Sequence, residues 1–156
     1  MIHVDIPGLG TVDLEVLILD YNGTLAIDGV MLEPVKEAIG RLTKQLEIHV
    51  LTSDTFGTVV RQCQELPVQV KVLSGVDHSA EKEAYLKQFA SRQTVAIGNG
   101  SNDRLMLEKA QVGIVVMGPE GCSGKALQAA DVMVGCIEDA FGLLLDPQRL
   151  VATLRR

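Results

Sequence analysis

Val16-Leu17-Ile18-Leu19-Asp20-Tyr21-Asn22-Gly23-Thr24-Leu25 is the stretch on which the reading of this chain turns. Four aliphatic residues follow one another without a polar break, as in a strand covered on both faces, and the run stops at a carboxylate. A strand with one wet face would alternate instead. The Asp-x-Asn-Gly that follows is turn chemistry, so a buried strand delivers Asp20 to the mouth of a loop.

Upstream, Ile2, Val4 and Ile6 alternate with polar residues, Pro7-Gly8-Leu9-Gly10 makes a turn, and Val12 and Leu14 alternate again. This predicts an N-terminal β-hairpin over residues 1–14. Downstream, Pro34 opens a helix whose Val35, Ala38, Ile39 and Leu42 keep helical spacing. Strand and helix then alternate. The strand Ile48 to Leu51 ends at Thr52-Ser53-Asp54, a helix runs through Val59, Val60 and Cys63, and a short strand covers Val68 to Leu73. A helix across Glu81 to Phe89 leads to the strand Thr94 to Ile97 and the loop Gly98-Asn99-Gly100-Ser101-Asn102-Asp103. A helix through Leu105 to Lys109 is followed by Val112 to Val116, Gly124 to Ala129, Asp131 to Val134, Ile137 to Leu145 and a last helix from near Pro147. The pattern predicts a single α/β domain over residues 1–156, three-layered and doubly wound on a mainly parallel sheet. Only residues 26–33 separate the first loop from the first helix, which allows a short flap and no cap domain.

Composition narrows the class. With 156 residues, 47% of them hydrophobic, the chain can bury a core without disulfides. A net charge of -6 offers a phosphate backbone nothing to bind, so nucleic acid is not an expected partner. Cys63, Cys122 and Cys136 are odd in number and lack C-x-x-C spacing, which argues against a disulfide framework or a zinc site and for a cytoplasmic setting. Apolar runs such as Leu143 to Leu145 are far too short for a bilayer, and the first residues lack the marks of a signal peptide.

In doubly wound sheets ligands bind beyond the carboxyl ends of the strands. Three such ends carry polar residues here: Asp20, Thr52-Ser53-Asp54, and Asn99 to Asp103. A carboxylate at a strand tip can attack phosphorus, while Gly23 lets successive amides turn towards phosphoryl oxygens as an anion-binding nest.

Asp20-Tyr21-Asn22-Gly23-Thr24-Leu25 resembles the first motif, D-x-D-G-T-L, of the haloacid dehalogenase (HAD) superfamily. Val50-Leu51-Thr52-Ser53-Asp54 resembles the second, and Lys82, early in a helix with Leu86 and Phe89 on its apolar stripe, stands as the third-motif lysine does. Gly98 to Leu107 resembles the G-D-G-x-N-D-x-x-M-L loop of P-type ATPases and related phosphatases. The similarity continues through Ala110 to Gly118 and Ala129 to Val134, so the soluble, P-type-ATPase-like branch is the nearest in pattern. Membrane helices and an inserted nucleotide-binding domain are missing, and an ion pump is not expected. The resemblance implies Asp20 as nucleophile, with Asn22, Thr52 and Lys82 in the catalytic set. Asn22, Gly23, Thr52, Ser53 and Lys82 would bind phosphate, and Asp20, the Asn22 carbonyl, Asn99 and Asp103 would hold Mg²⁺. Gly118-Pro119-Glu120-Gly121-Cys122-Ser123-Gly124-Lys125-Ala126 fails as a P-loop, because five residues separate its outer glycines and no hydroxyl follows Lys125.

Two positions depart from the family pattern. Asn22 and Asn99 stand where HAD phosphatases usually have Asp. An amide at position 22 cannot protonate a leaving group or activate water, help that is worth about 10²- to 10⁴-fold. Asn99 replaces a carboxylate ligand by a neutral oxygen, although Mg²⁺ commonly manages with one or two carboxylates plus phosphate and water. The expectation is a slow or specialised Mg²⁺-dependent phosphohydrolase acting through an aspartyl phosphate on a phosphorylated small molecule or macromolecule. The alternative is a phosphate-binding pseudo-phosphatase. A dehalogenase-like hydrolase gains from the missing acid but not from the Asn-Asp loop. An open site invites cover from a second copy, so a homo-oligomer is expected. His3, His49 and His78 fit strand or surface positions.

Overall fold

The computed structural model describes residues 1–54 and 57–156. Strands β1 (Ile2–Ile6) and β2 (Gly10–Leu14) pair antiparallel as the expected hairpin. β3 (Val16–Asp20) is buried along its whole length and includes Asp20 as its last residue. A two-stranded ribbon, β4 (Ala26–Ile27) with β5 (Val30–Met31), follows it and leads into α1 (Glu33–Leu42). This ribbon occupies the predicted flap.

The remaining elements are β6 (Glu47–Thr52), α2 (Thr58–Gln62), β7 (Gln69–Val72), α3 (His78–Leu86), β8 (Thr94–Gly98) and α4 (Arg104–Lys109). After them come β9 (Val112–Val116), α5 (Gly124–Ala129), β10 (Val132–Val134), α6 (Ile137–Leu145) and α7 (Pro147–Leu154). α3 begins three residues before the position expected, because the Asp77 carboxylate accepts the N–H of Ala80 at 3.1 Å and caps the helix there. It also stops at Leu86, so Phe89 packs from the following turn.

Six strands form one sheet in the order β10-β9-β8-β3-β6-β7, parallel at every pairing. The strand residues divide by alternation. Leu17, Leu19, Val50, Val95 and Ile97 enter a large core with α1, α6, α7 and the N-terminal hairpin. Val16, Ile18, Leu51, Ala96 and Val115 face a smaller one with α3, α4 and α5. Helices on both faces explain why these strands read as unbroken aliphatic runs.

β3 connects through α1 to β6 on one side, while the chain later returns to β8 on its other side and continues through α4 to β9. The winding therefore reverses around β3. A crevice opens at the carboxyl ends of its strands, where Asp20 stands.

Gly113 sets the depth of α4 on the sheet. A Cβ there would lie 2.4 Å from the Leu107 carbonyl oxygen, closer than atoms approach. Gly113→Ala should therefore destabilise the fold by about 1–3 kcal/mol, lowering the thermal midpoint by roughly 2–4 °C per kcal/mol. A melting curve unchanged from wild type would show that α4 can move away freely.

Candidate active site

Lys82 lies on the second turn of α3, yet its side chain is only 1% exposed. Its Nζ donates to Asp20 Oδ1 at 2.5 Å and to Asp103 Oδ1 at 2.5 Å. Three segments thus meet at one ammonium: the tip of β3, the helix α3, and the loop after β8. That loop is a 3₁₀ turn, Ser101–Asp103, which runs directly into α4. The Asp103 carboxylate does not cap α4 but folds back, its Oδ2 accepting the N–H groups of Asn99 at 3.0 Å and Gly100 at 2.8 Å. It is fully buried.

Thr24 ties the first loop to the last. Its Oγ1 lies 3.3 Å from Asp20 Oδ2 and 3.3 Å from Asn99 Oδ1. Gly23 makes this approach possible, with φ +76° and an absent Cβ that would fall 2.3 Å from Asn99 Nδ2. Its amide, however, donates to Ala26 O at 2.9 Å. The nest expected at Gly23 is therefore not what the backbone presents: the loop uses that donor to close itself, and Gly23 contributes shape.

Thr52 ends β6, one register position beyond the Leu51 that pairs with Asp20. Its buried Oγ1 accepts the Asp54 N–H at 3.1 Å, which leaves the hydroxyl proton to donate elsewhere. Asn22 and Ser53 are exposed. With Tyr21, Asp54 and Thr58 they line an open cleft of about 370 Å³.

Asn99 is held on all sides. Its Nδ2 donates to Gly121 O at 3.1 Å, and its carbonyl accepts the Ser123 N–H at 2.8 Å. The same 117–123 loop reaches the flap, since Glu120 Oε1 accepts the Asp28 N–H at 2.9 Å. Thr24, Asp54 and Gly121 carry no assigned role in the sequence alone. Thr24 was within a quoted motif, and Asp54 stood beside Thr52 at a strand end, so both carried a signal. Gly121 acts through its carbonyl, which no residue type discloses.

One ammonium between two carboxylates leaves a surplus negative charge in a buried site. Burial pushes the Asp20 carboxyl up, the neighbouring Asp103 charge adds to this, and Lys82 and Thr24 offset only part, leaving it at about 7. Burial pushes Lys82 the other way, but the pull of Asp20 and Asp103 outweighs it and holds the ammonium above its ordinary value. The site therefore has a place for added positive charge. Its acceptors are hard oxygens of the kind Mg²⁺ prefers. Thr24 has one proton for two acceptors, so Asp20 Oδ2 or Asn99 Oδ1 always keeps a lone pair towards the crevice. Asp20, the Asn22 carbonyl and Asn99 fit such an ion better than Asp103, whose oxygens are taken up by Lys82 and two amides. Among the described residues no group of three or more His, Cys, Asp or Glu side chains gathers as a metal site.

Comparison with known proteins places this geometry. No family model matches the chain. An uncharacterized protein of Methanocaldococcus jannaschii is 44% identical over 73 residues, which are 47% of this chain and 78% of that protein. Another from the same organism is 45% identical over 40 residues, 26% of this chain and 91% of that protein. The chain belongs to one family with these archaeal proteins. A phospholipid-transporting ATPase of Saccharomyces cerevisiae is 30% identical over 137 residues, 88% of this chain but 8% of the ATPase.

Solved structures are similar along most of the chain. The cobalt-bound deoxy-D-mannose-octulosonate 8-phosphate phosphatase of Haemophilus influenzae has a TM-score of 0.69 at 18% identity, covering 91% of this chain and 90% of that one. The 3-deoxy-D-manno-octulosonate 8-phosphate phosphatase of Moraxella catarrhalis, solved with magnesium, phosphate and sugar, has a TM-score of 0.66 at 18% identity, covering 91% and 94%. A Legionella pneumophila structure described as a HAD-superfamily hydrolase of subfamily III A has a TM-score of 0.68 at 17% identity, covering 90% and 87%. The fold is that of the HAD hydrolases. Within the HAD fold this chain adds an N-terminal antiparallel hairpin, and no described helix is long and apolar enough to cross a membrane.

The raised Asp20 carboxyl has a stability consequence. With a folded pKa of about 7 above an unfolded value near 3.8, its protonated form stabilises the metal-free fold at low pH, and that contribution is lost as pH rises through about 7. Asp20→Asn keeps the shape and leaves Asp103 to pair with Lys82. Without divalent metal, the variant's melting midpoint should exceed wild type's by an amount that grows from pH 4 to pH 8. An equal or lower midpoint at pH 8 would contradict the surplus-charge account.

Proposed function

We propose that the chain is a Mg²⁺-dependent phosphohydrolase that works through an aspartyl phosphate on Asp20. The observation carrying this reading is the Lys82 ammonium, pinned 2.5 Å from both Asp20 and Asp103 at the switch point of a parallel sheet. An Asp20 oxygen attacks phosphorus while the ester or anhydride oxygen departs. Lys82 offsets the charge of the incoming group and holds the carboxylate in line, and the Thr52 hydroxyl donates to a phosphoryl oxygen. Asn22 and Ser53, in the cleft, meet the remaining oxygens, with Gly23 shaping the loop between them and Asn99. Asp20, the Asn22 carbonyl and Asn99 would hold Mg²⁺, with Asp103 behind them holding Lys82 in place, and the ion when bound would supply positive charge to the transferring phosphoryl group.

Turnover is attenuated, because Asn22 cannot transfer protons and Asn99 binds metal more weakly than Asp would. Substrates with good leaving groups, such as acyl phosphates, suffer least. An open cleft about 370 Å³ in size accepts a phosphorylated small molecule or a macromolecular phosphate. The two similar sugar-acid phosphatases favour the small molecule. The motif loop and the yeast ATPase support a P-type-ATPase-like branch. An acidic chain without disulfide spacing supports a cytoplasmic enzyme without nucleic-acid or membrane partners, and the shallow flap is consistent with a homo-oligomer.

The second reading, a phosphate-binding pseudo-phosphatase, is favoured by one observation: both amides stand where chemistry needs acids, and Asn99 is hydrogen-bonded into its loop. Incubation with acetyl phosphate, ATP or p-nitrophenyl phosphate, with and without Mg²⁺, separates the two when turnover and intact mass are both followed. Intact mass also verifies that Asn22 and Asn99, each followed by Gly, have not deamidated. A Mg²⁺-dependent phosphate adduct, absent from Asp20→Ala, is the expected result. No adduct and no turnover, with phosphate still raising the melting midpoint, would leave the binding protein as the correct account.

A further inference from the structure

If Asp20 carries a phosphoryl group, some residue must move the protons that Asn22 cannot. The cleft beside Asn22 holds one candidate. Among the described residues lining it, Asp54 is the only carboxylate. It sits two residues past Thr52, beyond the carboxyl end of β6, the strand that pairs directly with β3.

Asp54 is half-buried and held in place by both its backbone and its side chain. Its N–H donates to Thr52 Oγ1 at 3.1 Å, and its Oδ2 accepts the Val59 N–H at 2.8 Å at the start of α2. The phosphate-binding hydroxyl and this carboxylate are therefore one rigid unit. Tyr21 senses it from the opposite wall: burial first, then the charges of Cys63 and Asp54, push the Tyr21 phenol up to about 12. The phenol in turn donates to Gly29 O of the flap at 3.5 Å. Asp54 thus lines the same cleft as Asn22, just past the nucleophile's strand, and Gly29 of the flap.

We propose that Asp54 is the general acid–base of this site, acting from β6 in place of the residue that family pattern puts at position 22. This rests on the reading of Asp20 as nucleophile. In the first half-reaction Asp20 bonds to phosphorus, the bond from phosphorus to the leaving oxygen breaks, and protonated Asp54 gives that oxygen its proton. Asp54 is then a carboxylate. In the second, it takes a proton from water as the water oxygen bonds to phosphorus and the Asp20–phosphorus link breaks, releasing inorganic phosphate and the Asp20 carboxylate. Asp54 ends protonated again, so one proton cycles and no other reactant is needed.

Asp54→Asn is the informative variant, because an amide oxygen can still accept the Val59 N–H at the start of α2 while proton transfer is lost. Asp54→Ser, a second small polar side chain without a titrating acid, guards against a fold defect particular to Asn. Acetyl phosphate with Mg²⁺ loads Asp20, since acetate leaves without a proton, and the adduct is followed by intact mass after the reagent is removed. Both variants should load at close to the wild-type rate, melt near wild type, and lose the adduct about 10²-fold more slowly. Adding Asn22→Asp to Asp54→Asn should restore fast loss. Wild-type adduct lifetime in both variants, or slow loss that Asn22→Asp does not restore, overturns the assignment. If wild type itself never forms an adduct, the nucleophile reading fails first and Asp54 has nothing to serve.

Discussion

The Lys82 ammonium is the contact on which the site depends. It joins a strand tip, a helix and a loop that are 21 and 62 residues apart in the chain, and it does so almost without water. Removing the ammonium would leave two buried carboxylates uncompensated, which costs about 3–5 kcal/mol. Yet the cluster is not balanced, since two carboxylates share one cation. The protein alone answers by holding a proton near Asp20, and a bound cation would answer better. A buried site short of positive charge is the physical basis for the proposed metal and phosphate reading.

Around that ammonium the loops after β3, β8 and β9 are wired to one another. Thr24 links the first to Asn99, Asn99 reaches Gly121 and Ser123, and Glu120 reaches the flap at Asp28. A change at any of these contacts moves the geometry at Asp20. This wiring also gives Asn99 a structural sense. Asn99 uses both ends of its side chain, donating to Gly121 while its oxygen meets Thr24, a combination no Asp could make at neutral pH. Asn99 thereby ties the loop after β8 to both the first loop and the 117–123 loop.

Sequence and structure point to somewhat different relatives. The yeast ATPase is similar in sequence over 88% of the chain, whereas the solved structures that superpose, at 12–18% identity, include sugar-acid phosphatases and a HAD-superfamily hydrolase. There is no conflict, because sequence similarity reflects residue identity while overall shape follows the number and order of strands. Function lies in the site rather than in either likeness.

Much of the architecture was legible because fully buried parallel strands have no alternation to blur. Val112 to Val116, Gly124 to Ala129 and Ile137 to Leu145 match their elements end for end. Boundaries slipped where a side chain rather than periodicity decides, as at Asp77, or where Asp131 accepts the Gly113 N–H instead of extending β10. Motif residues told which groups would gather at the carboxyl ends of the strands. They did not disclose that Gly23 would use its amide on Ala26, that Asp103 would turn inward, or that Asp54 would share a cleft with Asn22. The amino-acid order determined the alternation of elements and the chemical inventory, both local properties of side-chain pattern. Which inventory members face each other was decided only when the sheet order brought β6, β3 and β8 side by side, since distances between strand ends depend on packing between segments remote in the chain.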